Sequence, residues 1–582
     1  MQEMLRWMDT CDVLIGHNII DYDLPALKKV LGYVYKGKVV DTLIMSRMLN
    51  PKRFLPPHAE NKRAGPHSLY AWGVRCGVDK PEYDAWNEGF TEEMLHRCAE
   101  DVRINVRTYH KLMEEAASSG GKWGDAFKLT FKLFENLHEQ EQYGWYVDQQ
   151  KMHENIKALE KIMQEIDDEV IPQLPLICEP HRDYKACTVN KPFLKSGKPS
   201  KSTYEWFGDN WDVVGGIFSR ICFRRVDLNS RNETVDFLLK EGWEPVEWNY
   251  NDDGERTSPK LSKDDPFEGV EGEVGKLVAK RVQCRHRKSL IEGLLDLVRE
   301  DGRIASAIAG MAVTGRMQHR GIVNIPAAKS FFGKELRQMF SCAPGKVLVS
   351  TDSDQNQLRQ LAARMLEPAY IEAIVNGRKE DGTDVHTLAQ KMAELPTRDD
   401  AKTFQYGVLF GAGDAKTGKI VKGTAAHGRA LKERFFKNLP GLQRLMDRLI
   451  AEWRKTAKKK FNPKWNRIEY YDGTITGLDG RPIKVASEHQ ILVYLLQSDE
   501  AIQMSAAYNW AIAKLKKKYR YGEQVHVVCF YHDEFTFECD EDIAEDVKAI
   551  TEEAIAWAGR FYNIQCPHVG QGKIGRNWYE VH

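Results

Sequence analysis

The chain has 582 residues, 42% of them hydrophobic, so it is long enough for several domains with substantial cores. Lys plus Arg and Asp plus Glu each number 84, so net charge indicates no polyanionic partner and any basic surface must be local. The 11 cysteines include no Cys-x2-Cys pair, and no apolar run approaches a membrane span. With no signal peptide at its start, the sequence predicts a cytoplasmic protein with reduced thiols and no membrane association (the host cytoplasm, if it is phage-encoded).

The N-terminal region, residues 1–125, alternates short apolar runs with helical patterns, which predicts an α/β domain. The run Asp12–Gly16 is typical of a strand that leads into a loop. The residues after it resemble the second motif of 3′–5′ proofreading exonuclease domains, which implies that Asp23 is a metal-binding carboxylate. Asp101 stands where the third motif of that domain has its last carboxylate. The resemblance implies a ribonuclease-H-like exonuclease domain.

Two features of this region count against a working nuclease. Metal-assisted hydrolysis needs several carboxylates around two cations. The first motif of the resembled domain, Asp-x-Glu on an opening strand, is absent from the 16 residues before His17. The third motif also has a Tyr four residues before its Asp, where this sequence has Arg97. We therefore expect no proofreading, with the domain either retained for structure or shortened at its N-terminus.

A long irregular segment follows a helical pattern over residues 126–170. Residues 172–228 lose periodicity and become rich in Pro, Lys and aromatic residues, as in Lys195–Phe207. Such a segment inside a compact domain is usually functional or disordered. Two interpretations of residues 172–228 stay open. The segment is either a binding site for a partner or a solvated loop, which contacts DNA or makes no contact.

A cluster of basic residues follows between Lys276 and Lys288, where six cations and no acid occur. On a helix they would form a cationic ridge that includes Lys280, Arg281 and Arg285. Such a ridge releases counterions from duplex phosphates, so it would hold DNA without reading its sequence. A solvated helix face is the alternative.

Two acids far apart in the sequence each follow an apolar strand pattern. Asp352 ends the run that begins at Lys346, and Asp533 lies in a tight turn between two apolar runs. Taken alone, an acid after an apolar strand is more often a turn residue. These two segments, however, resemble two motifs of family A (Pol I-like) DNA polymerases. The resemblance implies phosphoryl transfer, which needs two cations roughly 3.5–4 Å apart, and Mg²⁺ prefers oxygen ligands. It therefore implies that Asp352 and Asp533 hold two Mg²⁺ ions, with the Ser353 carbonyl as a third donor and Glu534 nearby.

A helical pattern between these acids runs from Arg398 to Gly411 without proline. Arg398, Lys402, Tyr406 and Phe410 recur every four residues, a spacing that drifts only about 40° per step, so they share one broad face. Two cations lie at one end of this face and two rings at the other. Cations bind phosphates and rings stack on bases, so the pattern predicts a nucleoside triphosphate site. A helix with a solvated basic end and a buried aromatic end is the alternative.

The helix motif and the two acid motifs, in this order, resemble those of family A (Pol I-like) DNA polymerases. The text around the helix is similar to that of the replicative polymerases of T-odd phages. The resemblance implies a template-directed DNA polymerase that adds deoxynucleotides to a primer 3′ end. It also implies a right-hand fold after the exonuclease-like domain, with an antiparallel palm. The implied parts are a thumb over 126–300 with an insertion at about 172–228, a palm over 301–385 and 485–582, and helical fingers over 386–484.

The resemblance further implies contacts to primer–template DNA, to dNTPs and to a processivity factor at the thumb insertion. The segments Thr314–Arg316 and Asn324–Pro326 are similar to the family's primer-contacting segment, although the residues between them differ from the family pattern. The implied substrate-binding residues are Arg398, His386, Tyr406, Phe410 and Gln357. The implied DNA-binding residues are Arg316, Gln497, His532, Lys280, Arg281 and Arg285. The implied catalytic residues are Lys402, Asp352, Asp533 and Glu534.

Two departures from the family pattern concern the sugar of the incoming nucleotide. The family's Glu that covers the 2′ position is Gln357 here, and the Tyr that hydrogen-bonds that Glu is Phe410. Loss of one orienting hydrogen bond would relax selectivity roughly 2- to 13-fold. We therefore expect a DNA polymerase that excludes ribonucleotides slightly less well. The Tyr406 hydroxyl is expected to allow dideoxynucleotides, because it can replace a missing 3′-hydroxyl.

Two other classes of protein share part of this pattern. A single-subunit RNA polymerase has the palm and an Arg-x3-Lys helix. The triplet His532-Asp533-Glu534 and the exonuclease-like region count against this alternative. A non-catalytic DNA-binding relative is disfavoured by the intact carboxylates Asp352 and Asp533.

Overall fold

The chain forms two compact units in the computed structural model. The first comprises Met1–Asp148, Leu297–Ile325 and Arg337–His582, and the second comprises Gln149–Asp296 and Pro326–Leu336. The structure describes residues 2–84, 87, 89–180, 188–219, 221–251, 253–262, 265–322, 325–463 and 466–582. Asn324, which belongs to the expected primer-contacting segment, lies outside the described residues, as do 181–187 and 220 of the expected insertion.

The helices and strands are numbered in chain order. The α-helices are α1 (Gln2–Asp9), α2 (Asp23–Leu31), α3 (Thr42–Leu49), α4 (Leu69–Cys76), α5 (Glu92–Ser118), α6 (Trp123–Tyr143), α7 (Gln149–Val170), α8 (Lys201–Phe207), α9 (Arg231–Lys240), α10 (Glu273–Leu295), α11 (Gly333–Gln338), α12 (Asn356–Met365), α13 (Pro368–Val375), α14 (Val385–Ala393), α15 (Arg398–Leu409), α16 (Asp414–Ile420), α17 (Ala425–Asn438), α18 (Pro440–Thr456), α19 (Ile491–Lys518), α20 (Ala544–Phe561) and α21 (Trp578–Val581). The strands are β1 (Val13–Gly16), β2 (Lys38–Asp41), β3 (Trp145–Tyr146), β4 (Leu176–Pro180), β5 (Thr188–Val189), β6 (Phe218–Ser219), β7 (Ile221–Arg225), β8 (Trp248–Tyr250), β9 (Arg256–Pro259), β10 (Arg303–Ile304), β11 (Ser306–Met311), β12 (Met317–Gly321), β13 (Lys346–Ser353), β14 (Lys458–Asn462), β15 (Arg467–Tyr471), β16 (Gly473–Thr476), β17 (Pro482–Val485), β18 (Val525–Tyr531), β19 (Glu534–Asp540) and β20 (Gly570–Gly575).

An antiparallel sheet in the order β18-β19-β13-β20 organises the first unit. Strand β13 is central and almost wholly buried, which explains why its sequence reads as a nearly continuous apolar run. Its Val349 joins Phe535, Phe537, Tyr508 and Ile555 in one hydrophobic core. The sheet thereby brings the ends of β13 and β19 together, although the two strands lie almost 190 residues apart in the chain.

The N-terminal region has the expected strand after Asp12, and β1 pairs with β2 in parallel. Asp41 then caps α3, since its carboxylate accepts from the backbone N–H groups of Leu43 and Ile44 at 2.8 and 3.2 Å. The apolar side chains of this region, including Trp72 and Ile104, belong to the same buried core as the central sheet. Residues 1–125 therefore do not separate as a compact unit of their own.

The second unit has its own core, in which α7 packs with α10. Leu174, Val226 and Leu228 are buried in this core together with Val278 and Val282. This unit begins at Gln149, and α6 buries aromatic side chains in the core of the first unit. Both ends of the expected insertion, 172–228, supply residues to the core of the second unit.

The helical region around α15 has a second core within the first unit. Phe404 and Leu409 of α15 are buried in one cluster with Leu442, Trp453 and Leu495. Within the described residues, no helix has the length and apolar character needed to cross a membrane.

Candidate active site

The two predicted metal-binding carboxylates lie on neighbouring strands. Asp352 occupies the end of β13, where it pairs with Glu534 in the antiparallel register of β19. Asp533 lies in the turn between β18 and β19, and its carbonyl oxygen accepts from the backbone N–H of Ser353 at 2.9 Å. The structure therefore brings Asp352, Ser353 and Asp533 together, as the sequence predicted.

The surroundings of these carboxylates disfavour negative charge. Desolvation by the surrounding protein raises the pKa of Asp352 to about 7, and the charges of Asp533 and Glu534 add to the effect, although the side chain is still exposed to solvent. Desolvation also raises the pKa of Asp533. A divalent cation between these carboxylates would offset both effects.

Glu534 is placed differently from Asp533. Its side chain is buried and accepts hydrogen bonds from the Ser350 hydroxyl and, at 2.7 Å, from Nδ1 of His582. Both carboxylate oxygens are thus held by protein groups. These hydrogen bonds favour a structural role for Glu534 at the end of the sheet over direct binding of a cation.

The predicted basic and aromatic helix is α15. Thr397 caps its first turn by accepting from the backbone N–H of Asp400 at 3.1 Å. The helix ends at Leu409, one residue before Phe410, and Gly411 follows with a φ of 72°. A side chain at Gly411 would meet the carbonyl oxygen of His489 at 3.0 Å, so glycine suits this position for two reasons.

Arg398 and His386 are each held by a neighbouring polar side chain. Arg398 Nε donates to Oδ2 of Asp384 at 2.8 Å. Desolvation opposes ionisation of Asp384, but hydrogen bonds from Arg398 and Thr387 lower its pKa to about 2. Nδ1 of His386 lies 2.9 Å from Oε1 of Gln405, and the Gln405 amide nitrogen donates to the Tyr370 hydroxyl at 2.6 Å. In the neutral ring, Nδ1 therefore carries the proton, and burial lowers the pKa of His386.

The aromatic end of α15 faces the carboxylates. Tyr406 stacks on Phe410 with ring centres 6.0 Å apart, and its ring centre is 6.1 Å from that of His386. Desolvation raises the pKa of Tyr406, and the charges of Asp533 and Asp352 raise it further. Lys402, one turn before Tyr406, is exposed. The helix thus places Tyr406 within electrostatic reach of the carboxylates and leaves Lys402 exposed.

Gln357 and Arg316 meet at a residue that sequence reasoning missed. Nε2 of Gln357 donates to one carboxylate oxygen of Glu500 at 2.8 Å, and a guanidinium N–H of Arg316 donates to the other at 2.6 Å. Desolvation raises the pKa of Glu500 to about 7, with a further contribution from Asp533, whereas Arg316 and Gln357 oppose the shift. The partner of Gln357 is therefore Glu500.

Gln497 and His532 lie near this cluster in the first unit. Gln497 is half-buried and precedes Glu500 by one turn of α19. His532 occupies the β18–β19 turn with a φ of 58°, a left-handed conformation uncommon for a residue with a side chain. Burial, aided by the charge of Arg316, lowers the pKa of His532 to about 4, so the ring is neutral near pH 7.

The predicted cationic ridge lies on α10, but its members do not share one exposed face. Lys280 is exposed, and Arg285 lies near the backbone carbonyl of Asn229 at 3.5 Å. Arg281 is only 6% exposed, and its guanidinium donates to Oδ2 of Asp167 at 2.9 Å. The expectation that Arg281 contacts DNA is therefore withdrawn, because its charge is already paired inside the second unit.

The two carboxylates expected from an exonuclease also have distinct surroundings. Asp23 is exposed at the start of α2. Asp101 lies on α5, and Lys80 Nζ donates to both of its oxygens at 2.7 Å. Arg97, in the place of the expected Tyr, donates to the carbonyl oxygen of Pro81 at 2.6 Å. Among the described residues, no group of three or more His, Cys, Asp or Glu side chains is placed to hold a metal.

The partners that were not predicted include Glu500, Lys80 and His582. One signal for Glu500 was available, since Asp499 and Glu500 are the charged residues of α19 before Lys514, and the structure buries both of them fully. Acids are almost never fully buried unless they are paired. No local pattern marked Lys80 or His582, because each meets its partner only through the tertiary fold.

Comparison with known proteins assigns the family. The model of DNA polymerase family A matches residues 224–580, more than half of the chain. The chain therefore belongs to DNA polymerase family A, and its enzyme class is that of the DNA-directed DNA polymerases. This result confirms the resemblance inferred from the motifs and disfavours the RNA polymerase alternative.

Individual relatives agree with the family assignment. The chain is 27% identical to the DNA-directed DNA polymerases of Enterobacteria phage T3 and Escherichia phage T7, over 98% of this chain and 92% of each relative. It is 26% identical to DNA polymerase I of Aquifex aeolicus over 51% of this chain and 50% of that protein. A solved structure, the POL domain of Pol1 from M. smegmatis in complex with DNA primer-template and dNTP, has the same fold, with a TM-score of 0.71 at 17% identity. That likeness covers 100% of this chain and 88% of the solved chain.

Proposed function

We propose that this chain extends a primer 3′ end on a DNA template in phage-type replication, with Asp352 and Asp533 as the residues that hold its divalent cations. The observation that carries the assignment is the junction of β13 and β19, where the Ser353 N–H meets the Asp533 carbonyl at 2.9 Å. The central sheet corresponds to a palm, the helical region around α15 to fingers, and the second unit to a thumb.

The donor set at this junction fits Mg²⁺. Two carboxylates and the Ser353 carbonyl are hard oxygen donors, and Mg²⁺ commonly uses one or two carboxylates, with water and substrate phosphates at its other positions. The raised pKa values of Asp352 and Asp533 indicate a site where unbalanced negative charge is disfavoured. When bound, two such cations would activate the primer 3′-hydroxyl and stabilise the triphosphate.

The exposed face of α15 supplies the groups that would bind the incoming dNTP. Lys402 is exposed and would contact the phosphates, with a catalytic role, and Arg398 would do so after exchanging Asp384 for a phosphate. Tyr406 and Phe410 form a stacked pair on which a base or sugar can rest. His386, its ring held by Gln405, would complete the polar side of this site.

DNA contacts are proposed for a smaller set of residues than the sequence implied. Arg316, Gln497 and His532 would face the minor groove of the primer–template in the first unit. Lys280 and Arg285 would contact phosphates from the second unit, without reading sequence.

The expected insertion carries a surface suited to a protein partner. Strands β4 and β7 pair so that Leu176, Cys178, Ile221 and Phe223 share one face, and all four are exposed. Leu176 and Phe223 are 61% and 63% exposed. Contiguous exposed apolar side chains are typical of interaction sites. We propose that a processivity factor binds this face of the second unit.

The N-terminal region is proposed to be an exonuclease-like domain without nuclease activity. The Lys80 ammonium group already neutralises Asp101, which is one of the two carboxylates that the resemblance assigns to metal binding. A lysine in that place competes with a cation for the same oxygens.

Primer extension tests the proposed function directly. The purified chain, Mg²⁺ and a primed template should give template-length product with dNTPs and far less with rNTPs. RNA synthesis without a primer would identify the RNA polymerase alternative. The absence of any extension, with DNA binding intact, would identify a non-catalytic relative.

A further inference from the structure

A buried carboxylate joins two residues to which the proposed function gives separate tasks. Glu500 and the preceding Asp499 are both 0% exposed on α19. A buried acid is costly unless its oxygens are paired and hydrogen-bonded. Asp499 is paired with Arg364, which donates to its two oxygens at 2.8 and 2.9 Å. Glu500 instead divides its oxygens between partners from two different elements.

The first partner of Glu500 is Arg316, whose guanidinium lies 2.6 Å from Oε1. Arg316 follows the turn between β11 and β12 and has a side chain 19% exposed, so part of it still reaches the surface. The Glu500 carboxylate therefore holds the arginine that the proposed function places against the primer.

The second partner is Gln357 on α12, whose Nε2 donates to Oε2 of Glu500 at 2.8 Å. The Arg316 guanidinium favours the ionised form of Glu500, and an ionised carboxylate only accepts hydrogen bonds, so it requires the amide nitrogen of Gln357 on its side. The Oε1 atom of Gln357 must therefore point away from Glu500. That oxygen is buried and has no hydrogen-bond partner among the described residues. Glu500 thus determines the orientation of a side chain that would otherwise be free to flip.

We propose that Glu500 is a positioning residue for sugar selection, which fixes the Gln357 amide and couples it to Arg316. The inference rests on the proposed function, since Gln357 must face the incoming sugar and Arg316 the primer terminus. Glu500 would not touch substrate. Its effect is to keep Gln357 in one orientation, so that the bulk and polarity facing the 2′ position do not vary.

The coupling has a second consequence. A displacement of Arg316 at a mismatched primer terminus would be transmitted through Glu500 to Gln357, because one carboxylate binds both. In the wild type, the dCTP/CTP ratio should therefore be lower at a mismatched primer terminus than at a matched one. This difference should disappear when Glu500 no longer binds both Arg316 and Gln357.

The test measures kcat/KM for dCTP and CTP in a set of variants. Glu500→Gln keeps the shape but leaves one acceptor oxygen for two donors. The Arg316 guanidinium should take that oxygen, so an amide N–H would face Gln357 and no longer order its amide. The dCTP/CTP ratio should then fall about 2- to 13-fold. The change should lie in the KM for CTP, with kcat for dCTP largely kept. In the exchanged pair, Gln357→Glu with Glu500→Gln, donor and acceptor are swapped, and the ratio should recover toward the wild-type value.

A matched control is Asp499→Asn, which alters the adjacent buried acid but not Gln357. It should lower Tm and leave the dCTP/CTP ratio unchanged. A fall in the ratio equal to that of Glu500→Gln would mean general loosening of α19 and would overturn the inference. If Glu500→Gln is poorly folded, the exchanged pair still tests the proposed role of Glu500. A folded exchanged pair that does not restore the dCTP/CTP ratio would contradict that role.

A last comparison separates this inference from the proposed function. Gln357→Ala removes the side chain itself and should lower the dCTP/CTP ratio. If Gln357→Ala lowers the ratio and Glu500→Gln does not, the role of Glu500 is refuted while the assignment of Gln357 stands. If neither changes the ratio in a protein that extends primers, the assignment of Gln357 to the sugar is wrong and the inference falls with it.

Discussion

The backbone N–H of Ser353 donates to the carbonyl oxygen of Asp533 at 2.9 Å, which ties the end of β13 to the turn before β19. This bond fixes the relative placement of two acids that are far apart in sequence. It also leaves the Ser353 carbonyl beside them as an oxygen donor. The position of Asp352 next to Asp533 is therefore a property of strand pairing rather than of side-chain rotation.

The first prediction concerns these two acids. Asp352→Ala and Asp533→Ala should each lower primer-extension turnover by orders of magnitude, because each removes a proposed cation ligand, while affinity for primer–template DNA is retained. Single-turnover extension and a DNA-binding titration measure the two effects. Asp125→Ala, at an acid whose side chain is 89% exposed, is the control and should behave as wild type. Near wild-type extension by either active-site variant would show that the site is misassigned.

The second prediction concerns proofreading. Labelled single-stranded DNA incubated with the enzyme and Mg²⁺ should stay intact, because Lys80 pairs with Asp101 and Arg97 stands in the place of the expected Tyr. Lys80→Ala should not create nuclease activity, since Arg97 would still stand in the place of the expected Tyr. Metal-dependent trimming from the 3′ end that Asp23→Ala abolishes would contradict this prediction.

The third prediction concerns the apolar face of β4 and β7. Ile221→Ser with Phe223→Ser should shorten the product made per binding event in host extract and leave single-nucleotide addition unchanged. Point variants are preferable to removal of 172–228, because that deletion would take Leu174, Val226 and Leu228 out of the core.

The control for this third prediction lies on another exposed apolar pair. Phe461 and Ile468 face each other on β14 and β15, and each is 57% exposed. Phe461→Ser with Ile468→Ser removes similar apolar area from the first unit and should leave product length unchanged. Equal shortening by both pairs would indicate a general loss of solubility or DNA affinity rather than a partner site.

The fourth prediction concerns dideoxynucleotides. Tyr406→Phe should raise the preference for dCTP over ddCTP about 2- to 13-fold, because the hydroxyl that can replace a missing 3′-hydroxyl is lost. The stacked contact with Phe410 should survive, so kcat/KM for dCTP should change little. Tyr204→Phe, at an exposed tyrosine of the second unit, is the control. An unchanged dCTP/ddCTP preference would remove Tyr406 from sugar recognition.

Local sequence patterns were sufficient for the elements that carry the proposed chemistry. The apolar run before Asp352 predicted β13, and the four-residue spacing from Arg398 predicted α15, because side-chain periodicity is a property of neighbouring residues. The position of Asp533 in a tight turn was also predictable from the two apolar runs around it. The family resemblance then related these separate elements to one activity.

Tertiary structure decided which charged groups are available to a substrate. In the sequence Arg281 and Lys280 are equivalent cations, yet Arg281 is buried against Asp167 and Lys280 is exposed. Gln357 and Glu500 are 143 residues apart and meet only when α12 packs against α19. A side chain's charge is a property of its own residue, but its burial and its partner depend on segments distant in the chain, so only the folded structure distinguishes a paired charge from a free one.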